Sequence, residues 1–180
     1  MATCDIIPVF PTLILSCEVS EYGDLLCDVE KLRDKDKEGI QASNMGGWHS
    51  NYQPLPDMIE KCIPFPFKEG YCWYMVNGNL HGNYSHTHPK SDWSGVLWLK
   101  VPPNAAQLEF EHPDYFAQYK AIESMRTHHS DLAEKSNYVQ TYIFSPIEGH
   151  MLIFPSSLRH HVHFSEIEEE RIALSFNLVL

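Results

Sequence analysis

The ten residues from Arg171 to Leu180 constrain the fold most. Ile172, Leu174, Phe176, Leu178 and Leu180 hold one set of alternate positions, and Arg171, Ala173, Ser175, Asn177 and Val179 the other. A period of two belongs to a β-strand, whose successive side chains point to opposite faces. The large apolar face must be covered by a second layer, either another sheet or an amphipathic helix. The opposite face is small and polar and opens with a guanidinium, which suits the wall of a ligand cavity better than a core. Arginine's planar fork of donors can grip a carboxylate through two parallel hydrogen bonds.

From Tyr71 onward, short β-rich runs follow one another at 71–77, 84–88, 94–101, 107–111, 138–144, 150–154, 160–164 and 171–179. Pro102-Pro103-Asn104 and Pro146-Ile147-Glu148-Gly149 supply turn chemistry between them. Many short strands with turn signals predict an all-β sandwich or barrel. A longer insertion at 112–137 is expected to contain a helix, and the acidic run 166–170 a solvated hairpin loop. Ahead of the β-rich part, Tyr22, Leu25, Leu26, Val29 and Leu32 fall at helical spacing within 19–37. They predict an amphipathic helix lying outside a sheet. Residues 6–15 read as extended, and Pro54, Pro56, Pro64 and Pro66 make 54–67 irregular around a short helix. The chain is read as one domain over 1–180, in which 1–70 supports a β core at 71–180.

Two histidine signals lie about seventy residues apart, at His86-Thr87-His88-Pro89 and His160-His161-Val162-His163. On an extended strand His86 and His88 face the same way, the arrangement a metal ion needs from adjacent ligands. In the second cluster His160, Val162 and Phe164 share one face, and His161 and His163 the other. A histidine accompanied by two apolar side chains faces the interior, so His160 is the expected third ligand. Three imidazoles on one triangular face leave positions open for substrate and oxygen.

Composition bounds the partners. The net charge of −11 opposes phosphate backbones, so nucleic acid is not expected as a partner. Five cysteines, Cys4, Cys17, Cys27, Cys62 and Cys72, are scattered without a C-x-x-C pair, which fits a reducing compartment. The apolar run Ile6 to Leu15 is short and broken by Pro8 and Pro11, so neither a secretory signal nor a membrane span is expected. A cytoplasmic protein follows, acting on a small molecule or a protein, and a homodimer is left open.

Several motifs stand in a definite order: Gly46-Gly47-Trp48-His49-Ser50, His86-Thr87-His88-Pro89, Ser94-Gly95-Val96, then Glu148-Gly149 leading to Phe154-Pro155-Ser156, His160, and Glu170-Arg171-Ile172-Ala173-Leu174-Ser175-Phe176-Asn177. Together with Pro8-Val9-Phe10-Pro11-Thr12 they resemble the 2-oxoglutarate/Fe(II)-dependent oxygenase superfamily, in particular a small bacterial, phage and marine branch. The resemblance implies a double-stranded β-helix, or jelly roll of cupin type, with a few peripheral helices. It implies Fe(II), 2-oxoglutarate and O2, with 2-oxoglutarate decarboxylated to succinate and CO2 while a substrate is oxidised. Carried over, His86, His88 and His160 hold the metal. Arg171, eleven positions after His160, binds the far carboxylate of 2-oxoglutarate.

Two departures bear on that reading. His88 stands where the superfamily usually has a carboxylate, so either the site is three-histidine or Asp92, Glu109 or Glu111 supplies an anionic ligand. Ala173 stands where a serine often supports the arginine, leaving Ser175, Asn77 or Tyr84 as helpers. Trp73, Tyr84, Trp93 and Trp98 are candidates for the substrate mouth, with ordinary core the expectation for Trp73 and Trp98. Trp48 and His49 are placed at the entrance. The alternatives are a three-histidine cupin metalloenzyme that does not use 2-oxoglutarate, and a non-catalytic jelly roll that binds a ligand.

Overall fold

The computed structural model describes residues 11–131 and 139–180. The expected extended stretch at 6–10 and the 132–138 part of the insertion lie outside them. Two antiparallel sheets form a sandwich. The larger has seven strands, in the order β1 (Leu15–Glu18), β10 (His150–Pro155), β7 (Trp93–Lys100), β12 (Arg171–Val179), β5 (Glu69–Asn77) and β3 (Trp48–His49), with β4 (Gln53–Pro54) also paired to β5. The smaller runs β2 (Asn44–Met45), β6 (Gly82–His86), β11 (His160–Val162), β8 (Leu108–Glu111) and β9 (Thr141–Phe144). Three helices among the described residues accompany them: α1 (Gly23–Lys35), α2 (Asp57–Glu60) and α3 (Tyr115–His128). The β core with few helices matches the expected class. The first strand begins at Leu15, where the expected extended segment ends.

Alternation places two separate apolar layers on the large sheet. Val96, Trp98, Leu152, Phe154 and Ala173 face the small sheet and meet Leu108 and Phe110 there. Leu97, Leu99, Met151, Ile153, Leu174, Phe176 and Leu178 face the other way, beneath Leu25 and Val29 of α1 and Ile59 of α2. The amphipathic helix is therefore the cover that the apolar face of β12 required. Leu180 is the exception, 46% exposed beyond the strand's end. A bidentate ion pair from Arg33 of α1 to Glu170, at 2.7 and 3.0 Å, ties this helix to the turn that precedes Arg171. No helix among the described residues is long and apolar enough to cross a membrane.

Gly46 and Gly47 make the bend that carries the chain from β2 to β3. Both have positive φ, +71° and +68°, and a Cβ would run into the His81 ring at the first and the Val76 carbonyl at the second. Glycine alone meets both demands. The bend lays His49 opposite Met75 on β5, at the edge of the interior.

Candidate functional site

His86 ends β6, His88 follows it, and His160 opens β11, paired directly with His86. Their rings gather at centroid separations of 4.4 Å (His86–His160), 4.9 Å (His86–His88) and 5.2 Å (His88–His160). One ligand nitrogen from each lies within 4.8 Å of the others. His86 Nδ1 is 2.6 Å from the Tyr84 carbonyl, and His160 Nδ1 is 2.8 Å from the Leu158 carbonyl. A carbonyl only accepts, so both Nδ1 atoms carry the proton and both Nε2 atoms present lone pairs.

The third ring is held differently. His88 Nδ1 lies 3.4 Å from the Asn177 carboxamide, which also contacts the Tyr71 hydroxyl at 2.9 Å and the Ser94 hydroxyl at 2.7 Å. Ser94 in turn meets Ser156 at 2.7 Å. Hydroxyls both donate and accept, so the amide can turn its oxygen to His88 and leave that Nε2 free as well. Ser94, Ser156 and Asn177 thus form one chain of contacts behind His88.

Burial keeps the cluster neutral. Desolvation pushes His160 down to about 3 and His88 down to about 4, each lowered further by His86. His86 is lowered for the same first reason, against the opposing pull of its Tyr84 contact. Neutral imidazoles are the form a metal needs.

None of the carboxylates considered from the sequence reaches the triad. Asp92 accepts the Leu180 backbone N–H at 2.8 Å, and Glu109 and Glu111 lie on the opposite face of the small sheet with His163, His161 and Ser85. His161 and His163 also point away from the triad, as their alternation requires. Phe164 departs from expectation: β11 stops at Val162, and the phenylalanine is 58% exposed.

The triad opens on one side into a cleft lined by Trp73, Met75, Asn83, Val96, Phe154, Arg171, Ala173 and Ser175, among others. Arg171 is 3% exposed, and its Nε is buried without a partner. Among the described residues no carboxylate lies within ion-pair distance of it. The acidic turn cannot neutralise it, because Glu170 is committed to Arg33 and Glu168 to Asn79. Asn77 is its cross-strand partner and keeps its own Oδ1 buried and unsatisfied. Desolvation alone lowers the guanidinium to about 10. A cleft with an unmet buried cation in its wall is built to receive an anion, whereas the Asn77 oxygen, which is not in the cleft lining, is an acceptor and does not add to that pull.

Ser175 lines this cleft, but Tyr84 does not. The tyrosine is 61% exposed, and Asn83 takes the inward place. The cause is a bulge: His160 pairs with His86 while Val162 pairs with Asn83, so β6 spends three residues where β11 spends two. One inserted residue reverses the facing of everything before it. Tyr84 is thereby turned outward, a correction to simple alternation.

On its other side the triad opens to a mouth of about 280 Å³ lined by His49, Tyr52, Tyr71, Trp73, His88 and Lys90, among others. His49 stacks on Trp73 at 5.7 Å with an interplanar angle of 2°, and Tyr52 meets both edge-on. Of the aromatics considered for this role, Trp73 and His49 line the mouth. Trp98 is core, Trp93 packs on Phe65, and Trp48 is buried with its indole N–H on the Asp36 carbonyl. Tyr52 and Tyr71 carry no recognisable sequence signal; only pairing of β4 with β5 assembles them.

The family model described as "Putative 2OG-Fe(II) oxygenase" matches residues 71–177. A prolyl-4-hydroxylase from Pseudomonas putida superposes with a TM-score of 0.61 at 15% identity, over 93% of this chain and 92% of that one. The α-ketoglutarate-dependent carbocyclase SnoK from nogalamycin biosynthesis gives 0.60 at 10% identity, over 93% and 79%. A Trichoplax adhaerens prolyl hydroxylase, solved with a hypoxia-inducible-factor peptide, gives 0.59 at 10% identity, over 92% and 83%. A comparison with curated proteins yields no match. At these identities the solved structures speak for the fold, while the family model spans more than half of the sequence; the chain belongs to the 2OG-Fe(II) oxygenase family.

Proposed function

We propose that this chain is an Fe(II)- and 2-oxoglutarate-dependent dioxygenase in which His86, His88 and His160 hold the metal and Arg171 holds the far carboxylate of 2-oxoglutarate. The observation that carries this reading is the buried, unpaired guanidinium in the same cleft as three neutral imidazoles. The donor set fits the ion, since three nitrogens in a triangle leave coordination positions open. When bound, iron and 2-oxoglutarate supply the oxidative decarboxylation that turns O2 against an unactivated substrate bond.

The chain's own residues then have distinct tasks. The Tyr84 and Leu158 carbonyls and Asn177 hold the three rings in orientation through Nδ1. Ser175 in the cleft and Asn77, paired across the strand from Arg171, assist the guanidinium, while Met75, Val96 and Phe154 keep the cleft dry. The aromatic mouth faces the substrate, a small molecule or a protein side chain. The acidic charge disfavours nucleic acid. The free thiols Cys17, Cys27, Cys62 and Cys72 support a cytoplasmic setting.

Anaerobic titration with Fe(II) and then 2-oxoglutarate tests the assignment. The expected result is a visible charge-transfer band that saturates with 2-oxoglutarate and is lost on Arg171→Ala while iron stays bound. Iron binding without such a band would instead indicate a three-histidine cupin enzyme. No iron binding would indicate a ligand-binding jelly roll.

A further inference from the structure

Strand β11 carries histidines on both faces. His160 faces the cleft. His161, with His163 just past the strand's end, faces the other side of the small sheet, against Glu109 and Glu111 of β8. We propose that Glu109, His161 and His163 form a second divalent-cation site, of the borderline class that imidazole and carboxylate share, with Zn(II) as the apt probe.

The ligand atoms lie within 4.8 Å of one another. Glu109 Oε2 is 2.8 Å from His163 Nε2 and 4.0 Å from His161 Nε2. A tetrahedral ion with bonds of about 2.0–2.1 Å sets its ligands about 3.3 Å apart. The two gaps bracket that edge, so small side-chain rotations bring all three atoms to it. The backbone already fixes the spacing: His161 pairs directly with Glu109, and the His163 N–H donates to the Gln107 carbonyl at 3.0 Å.

A second observation points to a ligand. His161 Nδ1 is buried and has no hydrogen-bond partner, with Glu111 Oε1 standing 3.9 Å away. With Nε2 on a cation, Nδ1 carries the proton and Glu111 is the acceptor within reach, the carboxylate behind the imidazole that metal sites commonly use. The Ser85 hydroxyl donates to that same Glu111 oxygen and holds it in place. Glu109 and His163 satisfy each other without an ion, but His161 does not, and a cation accounts for all four side chains. Two carboxylates also balance its two charges. Such an ion would pin β8 to β11, the strand whose opposite face presents His160.

Calorimetric titration of the full chain with Zn(II) tests this. The wild type is expected to take two ions, the His86→Ala/His160→Ala protein one, and the Glu109→Gln/His163→Ala protein one. Glu111→Gln should keep the count and weaken the outer ion by about 10- to 100-fold. If a double variant misfolds by circular dichroism, His161→Gln alone serves, with loss of one ion expected. A single wild-type ion that the outer variants abolish supports the proposal and fails the triad instead. Two ions in the outer variants, or one wild-type ion that only the triad variant removes, would overturn it.

Discussion

Replacing Arg171 by methionine should move stability and co-substrate binding in opposite directions. The guanidinium is 3% exposed and burial lowers it from 12.5 to about 10. At about 1.4 kcal/mol per unit, holding that charge in the ligand-free protein costs about 3 kcal/mol. The sign follows from linkage: with the folded value depressed, both states are protonated below about 10, so the penalty is fully present at pH 7. Methionine fills much of the same space without charge. Allowing for imperfect repacking, the ligand-free variant should gain about 2 kcal/mol. For a chain of this size that is a rise in unfolding midpoint of about 4–8 °C, read by differential scanning fluorimetry. Removing one partner of a buried charge pair costs about 2–5 kcal/mol, so 2-oxoglutarate should bind about 30- to several-thousand-fold more weakly. Iron affinity should stay level. A variant that is less stable without ligand, yet binds 2-oxoglutarate as before, would refute the reasoning: Arg171 would then have a partner other than the co-substrate.

His86→Ala and His160→Ala should each reduce Fe(II) affinity more than about 100-fold in anaerobic titration, with far-UV circular dichroism unchanged. Asn177→Leu keeps side-chain volume but removes the contact to His88 Nδ1 and strands the Ser94 and Tyr71 hydroxyls. It should weaken iron by about 10- to 100-fold, and Asn177→Asp, which still accepts from the imidazole, should recover part of that; equal loss in both would argue for mere disruption. In the metal-free protein, burial holds His88 at about 4 and His160 at about 3, against 6.5 unperturbed. The unfolded chain therefore takes up the protons first, so stability is full above pH 6.5 and falls as the pH drops, by about 2 kcal/mol per group at pH 5. Denaturant midpoints at pH 7.5 and pH 5 check this, and equal midpoints would show that neither ring is desolvated.

Much of this protein is written locally in its sequence. The period of two in β12 assigns Arg171, Ala173 and Ser175 to one face and Leu174, Phe176 and Leu178 to the other. The structure keeps that division because β5 pairs in unbroken register along the whole of β12, and β7 does so from Ala173 onward, past a register shift at Ile172. The helical spacing of Leu25 and Val29 likewise identifies the layer that covers the apolar face. Histidine alternation separates His160 from His161 for the same reason. What local periodicity does not carry is register across strands. The extra residue in β6 exchanges Tyr84 for Asn83 at the cleft, and the early end of β11 exposes Phe164; both depend on how one strand meets another. The convergence of His49, Tyr52 and Trp73, the isolation of Arg171 from the acidic turn beside it, and the exclusion of Glu109 and Glu111 from the triad are likewise decided by tertiary pairing. Side-chain direction is a property of a residue and its neighbours in sequence, whereas company in space belongs to the closed sandwich.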